Sequence, residues 1–250
     1  MGIRRTEAIV IKHIDFEDAD KVVTFYTRKY GKMKAVARGG RRSRSRLGSS
    51  TEIFTHSDLV FYQKPDDDLG TISQCDIKEP FYQLRENLTK MAYGAYAVEL
   101  AGEMVGEGEA NVGLFMLLLS FLYGLRDGGD LESLLRAFEV RFLTMVGYMP
   151  EVRKCVSCGE KLSDKVKLSP ALGGALGERC LGKDPLAVTV SPEVVAFISR
   201  AEAVDPRQIG TLVMSSPDKT NIKEALALYI RYYLEKDLKS LSFLKMVEAI

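Results

Sequence analysis

KVVTFYTRKYGKMKAVARGGRRSRSRLGSST, residues 21–51, is the stretch whose reading decides the fold. It holds ten basic residues and no acidic one, whereas the whole chain carries 35 basic and 34 acidic residues. A chain neutral in sum is therefore polarised, and a local positive field of this kind attracts polyanions. Val22, Val23, Phe25 and Tyr26, then Met33, Ala35 and Val36, alternate with charge. That is a strand pattern on both sides of a Tyr30-Gly31-Lys32 turn. Arg38 to Arg46 reads as a flexible basic loop at the end of the second of these strands, with five arginines in nine residues separated by glycine and serine. Forked guanidinium donors on such a loop suit phosphate oxygens. The candidate phosphate-binding residues of a nucleic-acid surface are Lys32, Lys34, Arg38, Arg41, Arg42, Arg44 and Arg46.

Working outward, residues 3–12 form a preceding strand, joined to the stretch by an acidic connector, residues 13–20. Glu52 to Tyr62 and Leu69 to Cys75 supply a fourth and a fifth strand. Five short strands in so few residues predict a closed barrel of the OB type, since a sandwich needs about seven. Such barrels are common platforms for single-stranded nucleic acid. Tyr26, Tyr30 and Phe25 are the candidates to stack bases, with Phe25 the best suited to the core.

The pattern changes at Glu79-Pro80. Leu84, Leu88, Met91, Ala95, Val98, Ala101 and Val105 recur at helical spacing over residues 82–105. Further helices are expected over 112–126, 131–146, 192–203, 219–237 and 241–249, with residues 151–187 irregular between them. The predicted class is α+β: an OB-type barrel over 1–78, then an all-helical domain over 79–250 with a small cysteine-containing insertion. In that insertion Cys155-Val156-Ser157-Cys158 is a CxxC knuckle, and Cys180 follows twenty-two residues after Cys158. A zinc ribbon pairs two such knuckles, and the fourth cysteine would stand at position 177, which here is Gly177. The insertion therefore reads as a degenerate zinc ribbon, with a structural zinc on Cys155, Cys158 and Cys180 as the one candidate cofactor. The missing ligand predicts less than one zinc per chain and a melting temperature that chelators barely move.

Catalytic material is scarce. The chain has two histidines, both in the barrel segment, and neither a GxxxxGK[ST] nor an HExxH motif. Glu99, Glu103, Glu107 and Glu109 read as a solvated helix face. The N-terminus, Met1-Gly2-Ile3-Arg4-Arg5 followed by Thr6-Glu7, is not a secretory signal, and the expectation is a cytoplasmic, non-enzymatic binding protein.

Thr6-Glu7-Ala8-Ile9-Val10, Asp18 to Thr24, Tyr30-Gly31-Lys32 and Ala37 to Ser43 resemble the N-terminal domain of the RecO family of bacterial DNA repair proteins. The resemblance continues through Gly147-Tyr148-Met149-Pro150, Cys155 to Gly159, Gly173-Gly174 and Cys180 to Pro185. It implies a recombination mediator that binds single- and double-stranded DNA and anneals complementary strands. It also implies contact with the tail of the single-strand-binding protein SSB, and action with RecR to load RecA. Many members carry a four-cysteine zinc site, from which this chain departs at Gly177. The alternative is an OB-fold protein that binds RNA or serves translation. For the acidic, apolar-ended SSB tail, Leu226, Tyr229, Tyr233 and Phe243 near Lys223, Arg231, Lys236 and Lys239 are the expected dock.

Overall fold

The computed structural model describes residues 2–43, 45–64 and 67–248. Five strands, β1 (Gly2–Phe16), β2 (Asp20–Thr27), β3 (Gly31–Ala37), β4 (His56–Gln63) and β5 (Leu69–Glu79), close into a barrel in the order β1-β2-β3-β5-β4. The expected alternation builds its interior: Val23 and Phe25 of β2 and Met33, Ala35 and Ala37 of β3 are buried against Ala8, Val10, Leu59, Phe61, Ile72 and Cys75. β1 serves two neighbours. Gly2–Ile9 pairs with β4 and Ala8–Phe16 with β2, with a register shift between Val10 and Lys12. A bulge of this kind bends a strand and lets it turn the corner of a barrel.

Several boundaries differ from the sequence reading, and β5, expected to end at Cys75, runs on to Glu79. β1 runs on to Phe16, because His13 and Ile14 pair with Val23 and Val22, and the connector shrinks to a turn at Glu17–Ala19. β4 begins at His56 and not at Glu52. Residues 52–55 are spent on a turn in which Phe54 adopts a positive φ of 74°.

The chain packs as two compact units, Met1–Arg126 with Leu238–Ile250, and Asp127–Asp237. The helices α1 (Tyr82–Arg85), α2 (Leu88–Met104), α3 (Val112–Asp127) and α7 (Lys239–Glu248) thus group with the barrel, whereas the sequence boundary stood at 78/79. The helix expected over 82–105 is broken at Glu86-Asn87, where Asn87 caps α2 by accepting from the Lys90 amide. The expected single apolar face is also corrected. Leu88 is 55% exposed, while Tyr93, Tyr96, Ala97 and Leu100 are buried, so α2 is covered on most sides. The Phe54 ring lies under α2, where a Cβ on Gly94 would stand 2.8 Å from it. α7 docks on α2 through Glu99, whose carboxylate accepts from the Lys239 and Ser240 amides at 3.1 and 2.7 Å.

In the second unit α4 (Leu131–Met145) packs against α5 (Pro192–Ala203) and α6 (Ser216–Leu234). Asp130 caps α4 through Ser133 and holds Lys219 at 2.7 Å. The segment expected to be irregular contains a small antiparallel sheet, β7 (Gly174–Leu176), β6 (Val166–Ser169) and β8 (Val188–Val190), in the order β7-β6-β8. Among the described residues no helix is long and apolar enough to cross a membrane.

One charged knot stiffens the barrel. Glu7 accepts from Arg28 at 2.6 Å, Lys78 at 2.8 Å and His56 at 3.2 Å. Burial raises the Glu7 pKa, but the Lys78 and Arg28 hydrogen bonds outweigh it and hold the group at about 2. His56 is buried beside Phe115, and that burial lowers its pKa despite the pull of Glu7.

Two outcomes follow from this packing. Gly94→Ala should destabilise the protein by about 1–3 kcal/mol through overpacking, and Phe54→Leu in the same chain should recover part of it. Denaturant midpoints measure both, and an unchanged midpoint for Gly94→Ala would contradict the close contact. The second outcome concerns acid. His56, with a lowered folded pKa, contributes stability above its unfolded value of 6.5 that is lost as pH falls below it. Glu7 contributes stability above 4.5 that is lost toward about 2. The melting-temperature gap between wild type and Glu7→Gln should therefore be widest near neutrality and shrink as pH drops from 4.5 toward 2. A gap constant with pH would refute the linkage.

Candidate nucleic-acid interface and cysteine cluster

The basic loop is built of successive turns and is not the free segment expected from its composition. Gly40, Arg42, Ser45 and Gly48 amides donate to the carbonyls of Ala37, Gly39, Arg42 and Ser45 in turn. Two further bonds tie it to the β1–β2 turn: the Arg41 amide to the Ala19 carbonyl at 2.9 Å, and the Gly39 amide to Asp20 Oδ1 at 2.7 Å. Gly39 takes a φ of +64°, which glycine adopts without strain.

The same ties correct the picture of a patch without acids. Arg41 Nε lies 3.4 Å from Asp15 Oδ2, and its Nη1 donates to the Glu17 and Asp18 carbonyls. The acidic turn that precedes the stretch in sequence sits beside it in space. Arg38, Arg42 and Arg46 are exposed and have no ion pair among the described residues. Arg44 lies outside the described residues. Lys34 is exposed and paired with Glu107 at 2.5 Å. Lys32 is turned toward α2, where its ammonium donates to the Gly102 carbonyl at 2.6 Å, and burial lowers its pKa. The structure thus brings Arg38, Arg41, Arg42 and Arg46 onto one loop, commits Lys32 to α2 and leaves Lys34 exposed on β3 beside Glu107.

The stacking candidates fare differently. Phe25 is core, as expected. Tyr26 is fully buried near Glu109 and Asn111, where desolvation raises its pKa to about 12, so it offers no ring to a base. Tyr30 is half-buried, edge-on to Phe61 at 5.6 Å with the Arg4 guanidinium 5.3 Å over its ring.

Sequence reasoning missed the outer face of the barrel. Lys12, Thr24, Lys34 and Leu69 are register partners across β1, β2, β3 and β5, and so are Ile14, Val22, Val36 and Thr71. The inward partners of these rows, Val23 and Ala35, are buried, so both rows face outward. Ile14 is 52% exposed and Phe16, two residues on, is 41% exposed. An apolar strip flanked by Lys12, Lys34 and Arg38 matches bases on one side and phosphates on the other. The alternation in Lys12-His13-Ile14-Asp15-Phe16 was the signal that could have found it, and Asp15 with the acids that follow it hid the strand.

Cys155, Cys158 and Cys180 have their sulfurs within 4.8 Å of one another and are the one such cluster among the described residues. Burial raises the Cys155 thiol pKa, but the amides of Gly177, Cys158 and Ser157 pull it down to about 7. Three thiolates fit a zinc-class ion as far as they go. Cys75 belongs to the barrel core, where its sulfur lies 3.1 Å from Ser57 Oγ. Of the residues expected to dock the SSB tail, Leu226 and Tyr229 are buried in α6, and Lys239 and Phe243 belong to the first compact unit.

Comparison with known proteins agrees with the fold. The profile described as recombination protein O N terminal matches residues 1–81, and that described as recombination protein O C terminal matches residues 85–242. A DNA repair protein RecO from Symbiobacterium thermophilum is 37% identical over 98% of this chain and 97% of its own length. Proteins of the same name from Pelotomaculum thermopropionicum and Halalkalibacterium halodurans are 35% and 32% identical, each over 98% of this chain and over 94% and 96% of their own lengths. Matched along nearly all of its length, with the barrel and the helical part in the same order, this chain belongs to the recombination protein O (RecO) family.

Proposed function

We propose that this chain acts in DNA repair and recombination as a non-catalytic mediator that binds DNA on the outer face of its barrel. The observation that carries this reading is the outward strip of Ile14, Val22, Val36 and Phe16, bordered by Lys12, Lys34 and an arginine loop. Bases pack on the strip, with Phe16 as the stacking ring, and phosphates meet Arg38, Arg42 and Arg46. Neutralised phosphates release counterions, which makes binding tight at low salt and weak at high salt. Two strands held on one positive surface repel each other less, and this favours annealing. Arg41 is bound to Asp15 and to the β1–β2 turn, and it positions the loop instead of meeting phosphate. Lys32, engaged by α2, takes no part in the DNA surface.

RecR and the SSB tail are the partners that family membership supports. With Leu226 and Tyr229 in the core, the surface of the Asp127–Asp237 unit that retains the chemistry for an acidic, apolar-ended tail is an aromatic stack. Tyr148 lies on Tyr233 at 4.4 Å and Tyr232 stands edge-on to Tyr233 at 5.3 Å, with Arg231 adjacent in sequence.

Combined Arg38→Ala, Arg42→Ala and Arg46→Ala should lower the slope of log K against log salt by about 0.7–0.9 for each phosphate no longer neutralised, whatever the oligonucleotide sequence. Phe16→Ala should weaken single-strand binding by about 1–3 kcal/mol and leave the salt slope in place. Fluorescence anisotropy with labelled oligonucleotides reads both, and nucleotide-free annealing of complementary strands tests the activity. Unchanged slopes in the arginine variant would place the DNA elsewhere. For the tail, Tyr148→Ala and Tyr232→Ala should each weaken a labelled acidic SSB-tail peptide severalfold, and wild-type affinity in both variants would remove this stack from consideration.

A further inference from the structure

The cysteine cluster belongs to the Asp127–Asp237 unit and not to the barrel, and its geometry carries a separate inference. The first knuckle is a tight hairpin. The Cys155 amide donates to the Glu160 carbonyl at 2.8 Å, the Gly159 amide to the Cys155 carbonyl at 2.9 Å, and Lys154 bridges Lys161. Residues 177–180 form a turn of the same spacing as Cys155 to Cys158, closed by the Cys180 amide donating to the Gly177 carbonyl at 2.8 Å. Position 177 therefore stands where a second knuckle presents its first ligand. A Cβ built there meets Cys155 Cβ and Leu162 Cδ2 at 3.7 Å each, which is ordinary contact. Gly177 has a φ of −79°, so the backbone does not require glycine. Nothing steric or conformational excludes a side chain at this place, and the glycine leaves a gap in an otherwise complete ligand frame.

The gap is open. A cavity of about 170 Å³ is lined by Cys155, Cys158 and Gly177 and rimmed by Glu160, Glu178 and Arg179. Since liquid water takes about 30 Å³ per molecule, this space admits several waters or one small thiol. The two rim acids are engaged elsewhere, Glu160 by Arg179 and Glu178 by Lys165, each at 2.8 Å. Cys158 is exposed, so the sulfurs are reachable from solvent.

We propose that Cys155, Cys158 and Cys180 form a three-thiolate site for a divalent zinc-class ion, in which Gly177 leaves the fourth coordination position open to water or to a small external thiol. On loading, each thiol releases its proton to solvent and forms one metal–sulfur bond, with no change in oxidation state. An external thiol then exchanges for the water, losing its own proton to solvent. A four-thiolate site is closed and serves structure alone, whereas three protein ligands with an open position are the arrangement of exchangeable and reactive zinc.

Cobalt(II) is the probe, added to the reduced, full-length protein without oxygen. Wild type should develop the visible bands of tetrahedral cobalt together with a thiolate charge-transfer band. Adding 2-mercaptoethanol should raise the latter by about one third, as three thiolates become four. Gly177→Cys should show the higher intensity from the outset and no response to the thiol, and should release zinc to a chromophoric chelator more slowly. Cys158→Ser, at an exposed position, should keep the circular dichroism of wild type and lose the tetrahedral bands. Absence of cobalt uptake by wild type would overturn the proposal. So would a wild-type spectrum that ignores the thiol, because a protein group such as Glu178 would then fill the fourth position.

Discussion

A strand that must serve two neighbours is the constraint on which the barrel depends. β1 cannot stay straight and pair with both β4 and β2, and the shift between Val10 and Lys12 resolves this by bending it. The bend has a functional consequence. Beyond it, Lys12, Ile14 and Phe16 emerge on the outer surface, in register with Thr24 and Lys34 and with Val22 and Val36. The surface proposed for nucleic acid is thus a product of barrel closure, and the arginine loop hangs from its end through the Gly39 and Arg41 ties to the β1–β2 turn.

The other end of β3 is held by the α2–α3 connection. β3 pairs with β5 over only Lys34–Val36, leaving Lys32 without a partner from that strand. The gap is filled by residues 107–108: Glu107 bridges Lys32, and the Gly108 amide donates to the Lys32 carbonyl at 2.9 Å. Gly31 permits this approach, since a Cβ there would stand 2.3 Å from the Glu109 backbone. An exposed strand edge invites pairing with other chains, and covering it with a connector removes that hazard. The same cover buries Tyr26 and engages Lys32, so two residues that composition assigned to ligand binding serve instead to attach helices to the barrel.

Much of this was legible in the chain. Period-two alternation in residues 21–37 and helical spacing after Glu79 are local signals, and they located β2, β3 and the larger helices. What escaped reading was not local. The acid paired with Arg41, Asp15, precedes it by more than twenty residues, and only the β1–β2 pairing brings it near. The β6, β7 and β8 strands are three or four residues long, too short for a period to show. Glu99 and Glu107, read as solvated, are tie points to α7 and Lys34 because distant elements present amides and an ammonium to them. The cysteine spacing exposed the missing ligand at Gly177 from sequence alone, but the room beside it is a fact of packing.

The return of the chain to its first unit has a consequence for folding order. Residues 127–237 form a loop whose ends are brought together when α7 docks on α2 through Glu99 and the Tyr93–Glu248 hydrogen bond. Closing a disordered loop of that length carries an entropic penalty that rises by about 0.6 kcal/mol per doubling of length. If the intervening unit folds first, its structure replaces the disordered loop. α7 then closes a fixed span, and part of the entropy has already been spent on a folded unit. Docking of the last helix on the first unit is then favoured by prior folding of the second.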